Sequence, residues 1–177
     1  LDETINHVPS ATLGPEAAEK TITLMAPSKT YNLAGLGCSF AVIPNTSLRK
    51  SFTDAMQGIV PHVNLMGYTA ALAAYTKGDT WLKEVLEYLR ENHDLIYSAI
   101  QKTDLLDMYP VQGTYLAWIN ATRLGKKNTA DYFKQQGLGF SDGYDFGWEN
   151  YIRLNFGCPK SLLKKAIERI HDSLENL

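Results

Sequence analysis

The sequence predicts an α/β chain built in two parts, and three observations predict it. Two short β-like runs, residues 21–26 and 36–43, stand close together near the N-terminus. Helical periodicity takes over from residue 47 to about residue 102. The last third alternates strand and helix signals, which suits a separate α+β unit of about 75 residues.

The elements follow in order. Residues 1–20 are broken by Pro9, Gly14 and Pro15, with room for one helical turn at 16–20. The run at 21–26 (TITLMA) stops at Pro27, and the run at 36–43 (LGCSFAVI) stops at Pro44 and Asn45. Ser47 is placed to cap a helix that ends at Gly58. Residues 64–77 are rich in Ala, Leu and Tyr, with good helix propensity. From Trp81, Leu82, Val85, Leu86, Leu89, Ile96 and Ile100 recur near the helical period, giving a long amphipathic helix to about Lys102. Residues 108–109 and 114–119 are strand candidates, 129–136 a short helix, and 151–156 (YIRLNF) an alternating strand. Pro159 and Ser161 open a final helix with the stripe Leu162, Leu163, Ala166, Ile167, Ile170 and Leu174.

Composition narrows the function classes. The 177 residues are 45% hydrophobic and 20% charged, the balance of a globular chain rather than a disordered one. A net charge of −2 provides no basic field for nucleic acid or an anionic membrane. No apolar run reaches the ~18–20 residues of a spanning helix. No secretory or transit-like signal stands at the N-terminus, so a cytoplasmic chain is expected. Cys38 and Cys158 have no Cys or His at metal-ligand spacing, so no zinc site is expected, and packed reduced thiols are favoured over a disulfide. The first residue is Leu1 rather than Met, which suggests a piece of a longer chain.

Two residues stand out chemically. Lys29 lies in MAPSKTYNLAGL (25–36), flanked by Pro27 and Ser28, in a turn between the two β runs. Ser-Lys-Thr by itself would suggest a surface lysine. Arg153 sits inside an otherwise apolar strand and needs a partner. A guanidinium makes two parallel hydrogen bonds to a carboxylate, a fork that lysine cannot copy. A carboxylate substrate or an ion pair at the strand edge would both satisfy it.

The segment 25–36 resembles the lysine segment of the fold-type I pyridoxal-phosphate (PLP) enzymes, within them the cystathionine β-lyase and C–S lyase branch of the class I/II aminotransferases. HVP at 7–9, GTYLAWIN at 113–120 and YIRLNFGCPKS at 151–161 fit the same branch in order and spacing. The resemblance therefore covers essentially the whole chain. It implies that residues 1–92 are the C-terminal part of the large PLP-binding domain and residues 93–177 a complete small C-terminal α+β domain. It also places the lysine past the middle of a much longer chain. The aspartate under the pyridine nitrogen, the ring-stacking aromatic, the asparagine near O3′ and part of the phosphate cup would then lie upstream.

The resemblance assigns roles to residues present here. Lys29 would hold the aldehyde of pyridoxal 5′-phosphate and, once substrate displaces it, move the α-proton. An ordinary lysine is protonated at neutral pH, and crowding by charge or desolvation frees the nucleophile. The cofactor ring is the electron sink. Arg153 would grip the substrate α-carboxylate. Ser28 would donate to the cofactor phosphate or shape the turn, as Tyr31 and Asn32 do. Tyr115 would line the substrate pocket or pack in the core. Common aminotransferases carry a phosphate-binding serine three residues before the lysine and an arginine eight after it; those places here are Ala26 and Gly37. This departure fits the C–S lyase branch better.

The implied activity is PLP-dependent α,β-elimination from an amino acid, giving a thiol, pyruvate and ammonia. An aminotransferase on the same scaffold is the alternative, and an isolated piece without activity of its own is a third. The implied partners are a small amino-acid substrate and a second copy in a full-length homodimer. The loop SDGYDFG (141–147) matches a segment that often reaches the active-site mouth, with Asp142 and Asp145 expected to serve turn geometry. His7, His62, His93 and His171 are expected to be structural or at the surface.

Overall fold

Thr23–Met25 (β1) and Phe40–Val42 (β2) pair antiparallel, with Thr23 opposite Val42 and Met25 opposite Phe40. They belong to the first of two compact units in the computed structural model, which describes residues 1–177. That unit is Asn6–Glu84; the other is Val85–Leu177 together with Leu1–Ile5. A short helix, Pro15–Glu19 (α1), leads into β1. Both strands are shorter than the β-like runs that contain them. The second loses its start because Ala34–Leu36 winds into a 3-10 turn and Gly37 closes it at φ 59°.

Lys29 does not sit in an open turn. Pro27–Thr30 forms a single helical turn (α2), with Pro27 at its first position, where a missing N–H costs nothing. Thr46–Met56 (α3) follows, capped not by Ser47 but by Asn45, whose Oδ1 accepts from the Leu48 amide at 2.9 Å. Asparagine and serine cap equally well, so the residue just outside the first turn takes the role. Asn64 caps Leu65–Lys77 (α4) in the same way, through the Gly67 amide at 2.8 Å. After Gly78, Asp79–Ile100 (α5) runs on as the long helix the periodicity predicts. Ile43 is the only buried hydrophobic residue of Asn6–Glu84.

The second unit holds a four-stranded antiparallel sheet: Asp107–Met108 (β3), Leu116–Asn120 (β4), Ser141–Asp142 (β5) and Tyr151–Asn155 (β6), ordered β3-β4-β6-β5. β5 is too short to show alternation in the sequence, and pairing with β6 alone defines it. Alternate residues of the two central strands, Ala117, Ile119, Ile152 and Leu154, are buried. They pack with Ile96 and Ile100 of α5, with Phe133 of Thr129–Gln135 (α6), and with Leu163 and Ile170 of Lys160–Glu175 (α7). One sheet face is thus covered by helices, while the other carries Leu116, Trp118, Tyr151 and Arg153, all only half-buried. Leu162 is 57% exposed and does not belong to the α7 stripe, because one step along a helix turns a side chain about 100° from its neighbour.

Asn92 of α5 is fully buried and donates from Nδ2 to the carbonyls of Phe156 and Cys158, both at 2.9 Å. This ties the corner between β6 and α7 to the long helix. The division between units falls at Glu84 and Val85, and the expected one at 92/93 lies on the same helix. A continuous helix gives no compositional mark at such a boundary. Both cysteines are free. No helix is long and apolar enough to cross a membrane.

Candidate active site

The lysine turn is held from behind and free in front. Pro27 is buried, anchoring α2 against its unit, whereas Lys29 is exposed and Ser28 half-buried. The carbonyls of Pro27 and Ser28 accept from the amides of Tyr31 (2.8 Å) and Leu33 (3.0 Å), which closes the turn. Asn32 takes a left-handed conformation (φ 55°), tolerable for Asn. The Tyr31 ring stacks on Trp81 at 6.3 Å and meets Tyr75 edge-on at 5.6 Å. It lies so close to Gly78 that a Cβ there would be 2.7 Å from a ring carbon. Aromatic packing between α4 and α5 therefore fixes the turn, while the Lys29 amine and the Ser28 hydroxyl have no partner within the chain.

Gly37 gives the departure from the common aminotransferase pattern a conformational reason. Its φ of 59° and ψ of 47° are left-handed, where an arginine would be strained.

Arg153 lies on the open face of the second unit's sheet. Trp118 of β4 and Ser141 of β5 are its cross-strand partners. Its Nη2 donates to Ser141 Oγ at 3.3 Å, and its central carbon stands 4.3 Å from the centre of the Phe146 ring. No carboxylate of the chain pairs with it. Trp118 meets Phe146 edge-to-face at 5.8 Å and stacks on Tyr151 at 5.5 Å, so one cation sits among aromatic rings.

The structure places Ser28 and Lys29 side by side in one unit, and Arg153 and Tyr115 in the other. Tyr115 has the parity of the buried positions of β4, not that of Arg153 across the open face, and it packs against the core and against Gly157. Its carbonyl accepts from the Phe156 amide at 3.0 Å. Asp142 serves turn geometry, accepting from the Tyr144 amide at 3.0 Å. His93 does have a carboxylate beside it: Nδ1 meets Asp94 at 2.9 Å while Nε2 accepts from the Val111 amide at 3.0 Å. That second bond makes Nδ1 the protonated nitrogen and the role structural. Phe146 and Ser141 were not singled out from the sequence. The signal was there in part, since an aromatic residue in SDGYDFG and a polar residue opposite Arg153 become legible once register is known. The cleft of about 710 Å³ between α5 and α7, lined by Leu95, Lys102, Lys164, Ile167 and His171 among others, contains none of the sequence-predicted site residues.

An unpaired amine and an unpaired hydroxyl at one helical turn fit a ligand that carries an aldehyde and a phosphate. An unpaired guanidinium fits a carboxylate. The sequence pattern of the family described as aminotransferase class I and II matches residues 5–170, and the chain belongs to that family. Cystathionine beta-lyase PatB of Bacillus subtilis (strain 168) is 32% identical over 176 residues, covering 95% of this chain and 45% of its own. Among solved structures, OvoB matches at TM-score 0.96 and 44% identity over 98% of this chain and 46% of that one. Cystalysin from Treponema denticola, whose structure contains pyridoxal 5′-phosphate, matches at TM-score 0.93 and 26% identity over 99% and 46%. The chain spans about half the length of the curated relatives it matches.

Proposed function

We propose that the complete enzyme is a pyridoxal-phosphate-dependent carbon–sulfur lyase of the cystathionine β-lyase kind. Residues 1–92 would be the end of its large domain and 93–177 its small domain. The observation that carries the reading is Lys29: an amine without a partner, on a rigid turn, inside a segment of the family's lysine type. Its agreement with relatives bearing cystathionine beta-lyase and C–S lyase names supports the lyase reading.

Pyridoxal 5′-phosphate, when bound, supplies the electron sink that makes the substrate α-proton removable. Lys29 would hold the cofactor through its aldehyde, and its Nζ would act as general base on the substrate α-proton. Ser28 donates its hydroxyl to the phosphate. Arg153 would bind the substrate α-carboxylate, whereas Tyr115 packs against the core rather than beside it. The Cβ–S bond breaks with its electron pair on sulfur, which leaves as a thiol after taking a proton. With cystathionine, one water is consumed and homocysteine, pyruvate and ammonia are released. The family description, aminotransferase class I and II, leaves amino transfer as a second reading, in which Lys29 would again be the proton-transferring base. In both readings the full-length enzyme is a homodimer, and residues 1–177 alone have no turnover.

The test is borohydride reduction of the PLP-loaded full-length protein, with the modified peptide mapped by mass. A pyridoxyl group on Lys29 is expected, and Lys29→Ala should lose both the label and at least a thousandfold of turnover (~4 kcal/mol of barrier). A label elsewhere, or normal turnover in the variant, rejects the assignment. Pyruvate formed from cystathionine without an added keto acid distinguishes elimination from transfer.

A further inference from the structure

We infer that Phe146 and Ser141 are positioning residues for Arg153, holding its guanidinium in place without spending its charge. The inference rests on the reading of Arg153 as the carboxylate grip. An arginine side chain is rich in rotamers, and fixing it is costly. A neighbouring carboxylate would fix it but would also cancel its charge. Arg153 is fixed by two neutral groups instead, the Phe146 ring at 4.3 Å and the Ser141 hydroxyl at 3.3 Å.

Those holders are themselves held. Ser141 is the cross-strand partner of Arg153 in β5. Phe146 is braced edge-to-face by Trp118, the partner in β4. The 3-10 turn Gly143–Phe146 that carries the ring is capped by Asp142 and closed by Gly147 at φ 83°. At Gly143 a Cβ would stand 2.5 Å from the carbonyls of both Trp148 and Tyr151, so the turn is seated on the chain beneath it. A substrate carboxylate therefore meets a cation that is already oriented and still uncompensated, and less ordering remains for binding to supply.

The test uses the full-length enzyme and 3-(methylthio)propionate, which offers a carboxylate and a thioether but no amine, titrated by calorimetry. Steady-state kinetics with cystathionine run beside it. Phe146→Leu is expected to weaken carboxylate binding about three- to fivefold and to raise KM by a similar factor, with kcat little changed. Phe146→Tyr keeps an aromatic face and should restore the parent values. Ser141→Ala should weaken binding in the same direction, and it decides the matter if Phe146→Leu does not fold. Parent-like binding in both Phe146→Leu and Ser141→Ala, with Arg153→Lys clearly weakened, overturns the positioning role alone. Tyrosine failing to rescue, or a loss confined to kcat, also overturns it. Parent-like binding in Arg153→Lys rejects the carboxylate reading itself.

Discussion

Asn92 is the side chain on which the corner between β6 and α7 hangs. Removing it leaves the Phe156 and Cys158 carbonyls without their donor in a buried setting, so Asn92→Ala should cost about 2–3 kcal/mol in urea unfolding. Asn92→Asp should cost more, because it exchanges two donated bonds for a buried charge. A parent-like midpoint in either variant would contradict the role. Cys158 provides a second check. Partial burial pushes its thiol up, so less thiolate exists near neutral pH than for a free cysteine. Alkylation by iodoacetamide should be slower than for a model thiol, with the gap narrowing as pH rises. An equal rate at neutral pH would show that burial is not protecting it. Arg153→Lys should raise KM for amino-acid substrates roughly tenfold and leave kcat less affected, since a point charge keeps attraction but loses the fork.

At the scale of elements, the lysine turn and the turn beside Arg153 share one constraint. Each depends on a glycine at which a side chain has no room. Gly78 makes room for the Tyr31 ring behind the lysine turn, and Gly143 for the chain beneath the Phe146 turn. Gly143→Ala should therefore destabilise the second unit by about 1–3 kcal/mol, as an overpacked core does. It should also raise KM, because the ring over Arg153 moves with the turn. Thermal unfolding and kinetics of the full-length variant check both effects, and an unchanged Tm would mean that the turn accommodates the extra carbon. The long helices were legible in the sequence because α5 and α7 repeat apolar residues near the helical period over many turns. β5 was not, because two residues have no period. The cap of α3 falls on Asn45, two positions before Ser47, because both residues have the chemistry of a cap and only the helix start separates them.

For the molecule as a whole, burial is unequal. Nearly every buried hydrophobic residue lies in the unit containing the four-stranded sheet, whereas Asn6–Glu84 buries Ile43 and leaves Leu24, Ile59, Leu65 and Leu72 each at least 67% exposed. Hydrophobic burial is the main driving force for folding, so the two units should differ in stability when residues 1–177 stand alone. Hydrogen exchange should show amides of β4 and β6 protected by orders of magnitude more than those of α3 and α4. Equal protection would mean that Asn6–Glu84 draws stability from something other than its own core. The exposed apolar residues of that unit form the kind of surface that proteins cover. If the proposed full-length enzyme covers them, their amides exchange more slowly there than in residues 1–177 alone.

Local chemistry was sufficient for some of this. The Ser-Lys-Thr turn after a short strand, the arginine inside YIRLNF, the helix periods and the proline and glycine stops are set by residues near one another in the chain, and the sequence by itself determined them. It also determined the family, because separated segments matched in order. Only the tertiary structure decided what surrounds Lys29 and Arg153. Tyr31, Trp81 and Gly78 are brought to the lysine turn, and Ser141, Phe146 and Trp118 to the arginine, by strand register and helix packing. The reason is that a contact between distant residues depends on how whole elements pair, and a one-residue change of register would have turned Arg153 from the open face into the core.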